Sequence, residues 1–459
     1  MWRYLALRKL GAVFVETLLL FFCVLAAYYI RLRDLTLSFT GGDVILLKAA
    51  LMVTVFQLSL HLNDIYDFHE KRPTKEYTIR LSQSLVLAIV LLCSIFYLVP
   101  GLTIGRGVFA IAIILSSIFL VVWHTLMRFY LGTRAPHTKL LVLGTGNLAR
   151  EAVREILAHP ELGIKVLGFV GDNPKLVGVS IVNPKVIGVY EDLPGLMEKH
   201  GVNHIVVGLQ DRRGKLPIKE LLDYKTRGVA VEDATTFYER VAGKIPIENL
   251  QPSWMVFNSG FSVTSGALLK KRILSLIVSS VMLVITSPIM LLLAILIKLD
   301  SKGPVFYKQE RVGQDGKPFT LIKFRSMLAN AEEQTGPVWS KDADDRTTRI
   351  GRFMRRARLD ELPQFINVLC GDMSLVGPRP ERPHFVQQLV ESIPFYHMRH
   401  IVKPGITGWA QINYGYANTM EHTVQKLQYD LFYIKNMSWV LDSLILLETI
   451  KTVLVRKGS

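Results

Sequence analysis

Four apolar runs dominate the first third of the chain: Gly11–Ile30, Val44–Leu62, Leu81–Val99 and Val108–Leu126. Crossing the hydrocarbon core of a bilayer takes about 20 mostly apolar residues, and each run comes close to that length. Glu16 and Lys48 are the only acidic or lysine/arginine side chains within them. Helices this uniformly apolar leave no polar face for water, so the runs read as membrane spans rather than as core helices of a soluble domain. No small-residue cleavage site follows the first run, so it is expected to persist as a span rather than to be removed as a signal.

The charge between the runs sets their direction. Arg3, Arg8 and Lys9 precede the first run, Lys71, Arg72, Lys75 and Arg80 follow the second, and Arg128, Arg134 and Lys139 follow the fourth. The intervening loops carry only Arg31 and Arg33 in one case and Arg106 in the other. Basic residues gather on the cytoplasmic side, which places the N-terminus inside and, after four crossings, everything beyond about residue 130 inside as well. The formal net charge of +16 fits the same bias. No nucleic-acid partner is expected, because no basic stripe with interleaved aromatics and no zinc-ligand spacing accompanies that charge. Cys23, Cys93 and Cys370 are scattered, which excludes a disulfide framework or a cysteine metal cluster.

The middle segment, 137–250, has the composition of an α/β domain. Lys139–Leu143 reads as a strand, followed by Gly144-Thr-Gly146 and a helical pattern through Ala158. Further strands are expected at Val166–Val170 and Ile205–Val207, with a helix near 191–200. Strands alternating with helices predict a parallel, Rossmann-like sheet. Gly144 and Gly146 would permit a tight turn and the approach of a pyrophosphate to a helix N-terminus, and Asp172 lies at the offset of a ribose-binding acid. No Tyr-x-x-x-Lys set accompanies them, so a structural or regulatory domain stays open beside a nucleotide-binding one.

After a turn-rich linker over 251–272 comes a further apolar run, Ile273–Leu299, charged only at Lys298. Lys270, Lys271 and Arg272 precede it, and Lys298, Lys302 and Lys308 follow, so both flanks look cytoplasmic. At its centre stands Ser287-Pro288. Proline removes an amide donor and clashes with the preceding turn. A re-entrant helix that enters one leaflet, breaks at Ser287-Pro288 and returns satisfies both facts, with the Ser287 side chain meeting freed backbone groups. On the residues alone a straight spanning helix with a proline kink stays open too.

Residues 300–459 hold the candidate chemistry. Asp360 and Glu361 stand side by side, just beyond a block holding Arg349, Arg352, Arg355 and Arg356. Paired carboxylates among guanidiniums beside a membrane segment suit a phosphorylated substrate handled at a bilayer surface. The alternative is structural: Asp360 as the N-cap of a helix with Pro363 in its first turn, and the arginines as a solvated or headgroup-facing surface. Pro378-Arg379-Pro380 predicts a rigid turn that presents Arg379 at a set angle. In the Gly405–Gln411 loop glycine marks backbone that must turn or approach a ligand, and Trp409 is either interfacial or core. Trp439–Leu454 is short for a span and contains Asp442 and Glu448, so it reads as an interfacial amphipathic helix, aided by Lys451, Arg456 and Lys457.

Five motifs in order carry a resemblance. They are Val305-Phe-Tyr-Lys-Gln309-Glu-Arg311-Val-Gly313, Lys323-Phe-Arg325-Ser-Met327, Leu359-Asp360-Glu361-Leu362-Pro-Gln364, Gly371 through Pro378-Arg379-Pro380, and Lys403-Pro-Gly405-Ile-Thr-Gly408-Trp409-Ala-Gln411. Together they resemble the bacterial sugar transferase family, the polyprenyl-phosphate glycosyl-1-phosphate transferases, and the four leading spans with a middle α/β domain resemble its long, exopolysaccharide-initiating branch. The resemblance implies a membrane α plus α/β fold: a four-helix transmembrane domain over 1–130, a Rossmann-like (CoA-binding-like) domain, a re-entrant membrane helix at 273–299 and a cytoplasmic α/β catalytic domain over 300–459.

It also implies a reaction at the inner face of the bacterial cytoplasmic membrane. A UDP-sugar gives its sugar-1-phosphate to undecaprenyl phosphate, UMP leaves, and a polysaccharide repeat unit is begun. By the resemblance Asp360 is the nucleophile, Glu361 holds Mg2+, Lys323 and Arg355 lie near the phosphates, and Arg379 belongs to the nucleotide-sugar site. Gln309 and Arg311 fall in a matching motif without an assigned role, and Asp430 matches an acidic position that would support the metal or the basic cluster. The partners implied are the UDP-sugar, undecaprenyl phosphate and the lipid bilayer, with the middle domain a candidate for a homodimer contact. Two rival readings come from other classes. A nucleotide-sugar oxidoreductase would copurify with NAD and lose activity on changing Gly144 or Gly146. A non-catalytic membrane scaffold would tolerate Asp360→Asn. Neither explains why the Asp-Glu, Pro-Arg-Pro and Lys-x-Arg elements occur together. No residue selects among glucose, galactose and N-acetylated sugars.

Overall fold

The computed structural model describes residues 2–32, 45–66, 74–133, 138–159, 162–209, 217–250, 254–255, 260–261, 265–328, 346–415 and 419–454. Arg33, Lys71, Arg72, Arg134, Arg456 and Lys457, used above for orientation and surface charge, lie outside the described residues, as does part of the linker. The chain divides into two compact units, Met1–Phe237 and Tyr238–Ser459.

The first unit opens with four long helices: α1 (Trp2–Leu32), α2 (Ile45–Leu62), α3 (Thr74–Leu98) and α4 (Arg106–Thr133). All contain stretches long and apolar enough to cross a membrane. Leu20, Met52, Phe56, Leu92 and Leu120 fill the interior they share. Phe14, Phe22, Val86 and Ile118 stand exposed on the outside. A helix apolar on all sides belongs in lipid. The third helix begins before the apolar run, because Thr74–Arg80 continue it as a charged first turn in which Arg80 reaches Glu76 at 3.0 Å and Asp64 at 3.2 Å.

Glu16 is fully buried in this bundle, which costs free energy unless the carboxylate is bonded. Its oxygens accept from the Tyr66 hydroxyl at 2.5 Å and the Trp123 indole at 2.8 Å. His124 Nε2 lies 3.4 Å away. The acid thereby ties α1 to α4 and to the turn after α2.

After α4 the chain forms a five-stranded parallel sheet of β1 (Thr138–Leu143), β2 (Ile164–Gly171), β3 (Val186–Val189), β4 (His204–Val207) and β5 (Ala230–Asp233), in the order β3-β2-β1-β4-β5. Its helices are α5 (Asn147–Ala158), α6 (Leu193–His200), α7 (Ile218–Thr226) and α8 (Ala234–Ala242). The strands expected near 139, 166 and 205 are present. The sequence reading omitted the short strands β3 and β5 at the two sheet edges. Gly144 takes φ +102, and a Cβ there would lie 2.9 Å from the Gly208 carbonyl carbon. Gly208 in turn leaves room for Ala149, whose Cβ would be 2.7 Å from its own. The close approach that glycine permits here is therefore between two turns of the chain itself.

The second unit is built around α9 (Ser265–Asp300), a helix with Pro288 inside it. Next come an antiparallel hairpin of β6 (Phe306–Val312) and β7 (Pro318–Phe324), then α10 (Arg349–Arg356), a 3-10 turn over Leu359–Glu361 and α11 (Gln364–Cys370). Strand β8 (Ser374–Val376) pairs in parallel with β9 (Gly405–Thr407). Helices α12 (Pro383–Ser392), α13 (Trp409–Asn413), α14 (Met420–Lys435) and α15 (Trp439–Leu454) complete it.

Helix α9 stays helical through Ser287-Pro288, so no residue there unwinds, and a re-entrant path requires a bend within the helix rather than an unwound break. The reason lies in one hydrogen bond. Pro288 has no amide to give the Val284 carbonyl, and Ser287 Oγ donates to that carbonyl at 2.8 Å instead. Helix α15 matches the expected range, but Asp442 is buried and accepts from the Tyr433 hydroxyl at 2.7 Å rather than facing solvent.

Gly144→Ala is expected to destabilise the sheet unit by about 1–3 kcal/mol, through a left-handed backbone and a collision with Gly208. Thermal unfolding of the full chain in detergent measures this, and an unchanged midpoint would contradict it.

Candidate active site

The site starts from the hairpin. Successive residues of a strand alternate faces, so Tyr307, Gln309 and Arg311 on β6 share one side, and Tyr307 pairs across to Lys323 on β7. Lys323 Nζ stands 5.1 Å from the centre of the Tyr307 ring. Arg311 donates to Gln309 Oε1 at 2.7 and 3.1 Å, and Gln309 donates to the Tyr307 hydroxyl at 3.1 Å. The outer amine of Arg311 reaches the Pro380 carbonyl at 3.0 Å. Gln309 and Arg311, which the sequence left without a role, thus connect the hairpin to the Pro-Arg-Pro turn.

That turn is held carbonyl by carbonyl. The oxygen of Pro378 accepts from the Gly405 amide at 2.9 Å, that of Arg379 from Arg399 at 2.9 Å, and that of Glu381 from the Val312 amide at 2.9 Å. With Arg311 on Pro380, four successive carbonyls are taken. Arg399 is itself buried and pinned, donating to Asp430 Oδ2 at 2.9 Å and to the Tyr396 hydroxyl at 2.6 Å. Asp430 is 2% exposed, so it stands behind Arg399, two bonds removed from the Arg379 backbone. Arg399 carries no pattern in the sequence that marks it, since Arg379 and Asp430 lie far along the chain, and Tyr396 acts through Arg399 three residues on.

From this anchored turn the Arg379 guanidinium meets Glu361 Oε1 at 2.5 Å. Asp360, next to it, is buried. The two carboxylates lie on the 3-10 turn that follows Arg358, whose φ of +53 is left-handed. A non-glycine residue held in that region stores strain, which is common where a turn must aim a functional side chain. Helix α11 begins only at Gln364, with Pro363 as its N-cap, so Asp360 is not the capping residue that the structural alternative foresaw. Thr348 caps α10 instead, accepting from the Gly351 amide at 2.9 Å. On α10 the arginines part company: Arg349, Arg352 and Arg356 are exposed, while Arg355 is half-buried on the side of Asp360.

The electrostatics follow from burial. Loss of water pushes the Asp360 carboxyl up to about 6, the charge of Glu361 adds to this, and Lys323, Arg379 and Arg355 oppose it. Burial also penalises the Glu361 carboxylate, but Arg379, Arg358 and Lys323 together outweigh that penalty and hold it below its usual range. Burial brings the Lys323 ammonium down to about 8 against the pull of Asp360. The pair is therefore split: one carboxylate is held firmly ionised by the arginine it bonds, and the other is raised by burial.

Glycines explain the last two motifs. A Cβ on Gly377 would sit 2.5 Å from the Lys403 carbonyl oxygen, and added carbons on Gly405 and Gly408 would run into the Gly377 backbone. These residues let β8 and β9 touch backbone to backbone beneath the Pro-Arg-Pro turn. Trp409 is half-buried, donating to the Gly243 carbonyl at 2.7 Å and stacking on Phe432 at 5.8 Å. Gly144, Gly146 and Asp172 gather at the carboxyl ends of β1 and β2 in the first unit, with Gly146 capping α5.

A split carboxylate pair facing lysine and arginine, in a unit that carries a long apolar helix, defines a membrane-associated site for phosphate chemistry. The sequence model of the bacterial sugar transferase family matches residues 266–456, and that of a CoA-binding domain matches residues 61–224. A UDP-glucose:undecaprenyl-phosphate glucose-1-phosphate transferase of Escherichia coli K12 is 30% identical over 451 residues, covering 94% of this chain and 95% of the relative. A protein of the same description from Xanthomonas campestris pv. campestris is 32% identical, covering 78% of this chain and 76% of the relative. A UDP-N-acetylgalactosamine-undecaprenyl-phosphate N-acetylgalactosaminephosphotransferase of Aeromonas hydrophila is 50% identical over 189 residues, and this chain matches 44% of its length. The chain belongs to the bacterial sugar transferase family.

Asp430→Asn is expected to cost about 3–5 kcal/mol of stability, because it leaves Arg399 charged and buried without its counter-ion. Unfolding of the purified protein measures the loss. A wild-type midpoint would mean that Arg399 does not depend on Asp430.

Proposed function

We propose that this chain transfers a sugar-1-phosphate from a UDP-sugar to undecaprenyl phosphate, the first step in building a polysaccharide repeat unit, and that Asp360 carries the sugar phosphate between the two. The observation that supports this best is the split of the carboxylate pair. Asp360 is buried and only weakly held as an anion, while Glu361 is committed to Arg379.

In the first step a carboxylate oxygen of Asp360 attacks the phosphorus that bears the sugar. The bond from that phosphorus to the bridging oxygen breaks, and UMP leaves with the oxygen and its electron pair. In the second step an oxygen of undecaprenyl phosphate attacks the same phosphorus. The bond to Asp360 breaks, the carboxylate is restored, and the lipid diphosphate sugar departs. Neither step needs a proton from the protein. Lys323, Arg355 and Arg379 offset the charge that spreads over the phosphate oxygens.

The site also fits a divalent ion. Glu361 bonds Arg379 through Oε1, and its charge adds to the upward push that burial exerts on the neighbouring Asp360 carboxyl. Mg2+ is usually bound by one or two carboxylates, with phosphate oxygens and waters completing the set. Glu361, with Asp360 beside it, would hold the ion, which when bound supplies neutralisation of the phosphate oxygens.

Helix α9 serves in this reading as an anchor that bends at Pro288, so that it enters and leaves the cytoplasmic leaflet of the inner membrane and keeps 300–459 on the side of the nucleotide sugar. Lys270 in its first turns and Lys302 after its end support this, both being exposed and basic. Cysteines placed at 270 and 302 should both label from the cytoplasm. Periplasmic labelling at 302 would remove the catalytic unit from its substrate.

Two kinetic outcomes follow. Without acceptor, the protein in nanodiscs with Mg2+ and the correct UDP-sugar should release one equivalent of UMP in a burst, and Asp360→Asn should abolish it; a sequential pattern with no phospho-sugar adduct rejects the covalent route. The rate should also be bell-shaped in pH. Asp360 reacts when deprotonated, so activity is lost as pH falls through about 6. Lys323 acts when protonated, so activity is lost as pH rises through about 8. Lys323→Arg, which stays charged, should remove the alkaline limb.

A further inference from the structure

The root of the membrane helix carries Lys270, Lys271 and Arg272, a trio that charge bias alone would send to lipid phosphates. Of the three only Lys270 is exposed. The Lys271 ammonium turns inward, bonds the Tyr433 hydroxyl and lies 3.5 Å from Asp442 Oδ2. Arg272 donates to the carbonyls of Val368 at 2.5 Å and Leu369 at 2.9 Å, the last turn of α11. One turn further along, Ser275 Oγ lies 3.3 Å from Ser374 Oγ on β8.

These contacts fall on the two elements that carry the reacting groups. Helix α11 is a short rod, Gln364–Cys370, with Asp360 and Glu361 just before one end and Arg272 at the other. A guanidinium at a helix C-terminus is favoured by the helix dipole and by the unpaired carbonyls there. Strand β8 leads into Pro378-Arg379-Pro380, and Tyr433, which Lys271 holds, touches the Val376 carbonyl at 3.4 Å. In the middle of α11, Asn367 accepts from the Ile322 amide at 3.0 Å and donates to the Thr320 carbonyl at 2.7 Å, the strand that bears Lys323. The rod thus pivots on the hairpin at Asn367 and is held at its far end by the membrane helix.

We propose that Arg272 is a positioning residue for Asp360 and Glu361, with Lys271 doing the same for the Arg379 turn, so that the seating of the membrane helix sets the geometry of the carboxylate pair. Only the activity arm of the test rests on the transferase reading. Arg272→Gln in the full chain, in nanodiscs, should speed amide hydrogen exchange locally over 364–371 while the β1–β5 sheet keeps its wild-type rates. The UMP-release rate per folded protein should fall about tenfold or more, as expected for losing charge-assisted bonds that aim a reacting group, with KM for the UDP-sugar changed less than about twofold. Arg272→Lys, which keeps the charge but not the planar fork, should fall between. Wild-type exchange over 364–371 overturns the proposal. So does turnover per folded protein that stays normal while stability drops and exchange rises evenly across the unit, since Arg272 would then be merely structural. Should Arg272→Gln not fold, Arg272→Lys is read by the same two criteria. If the wild type releases no UMP from any UDP-sugar, the functional reading fails, and the exchange result still decides the role of Arg272.

Discussion

The bond from Arg379 to Glu361 depends on a turn with nowhere to go. Two prolines withhold amides at that turn, and each carbonyl from Pro378 to Glu381 is taken by a donor from another element. Two of the four donors are guanidiniums, which are costly to bury, and the protein meets that cost with Asp430 and Tyr396 for Arg399 and with Gln309 and Glu381 for Arg311. The charge that finally faces the carboxylates is thus the outermost member of a bonded series that reaches into the core. Asp360, beside it, is instead pushed up by burial, and the proposed chemistry draws on this difference between neighbours.

The same economy governs the membrane parts. Glu16 is fully buried yet bonded by Tyr66 and Trp123, and Pro288 sits inside a continuous helix because Ser287 serves the carbonyl that proline leaves bare. In a medium without water every polar group must be matched by the protein itself. Two side chains from distant parts of the chain supply the match for Glu16 and one neighbouring side chain supplies it for Pro288, which lets an otherwise disruptive residue remain in an apolar segment.

The spans and central strands were legible because length and apolarity are signals along a single dimension. Strands β3 and β5 were not, being four residues each at sheet edges, the first interrupted by Gly188 and the second ending in Glu232 and Asp233. Asp360, Glu361, Lys323, Arg355 and Arg379 could be named from the motifs that carry the family resemblance, and the structure brings them into one electrostatic group. Arg399 and Tyr396 could not, because their importance lies in partners distant in sequence. Two expectations failed for local reasons. A capping role for Asp360 assumed that the helix begins there, whereas a 3-10 turn and Pro363 intervene. An unwound break at Ser287-Pro288 proved unnecessary, because the Ser287 hydroxyl serves the freed carbonyl while the backbone stays helical.

The meeting of Gly377, Gly405 and Gly408 has a consequence for anyone who would redesign this enzyme. The floor under the Pro-Arg-Pro turn is made of bare peptide at these three positions, with no side chain there that could be trimmed, enlarged or recharged. New substrate preferences will therefore have to be engineered from the walls, and combinatorial libraries that randomise those three positions would spend their diversity on chains that cannot close.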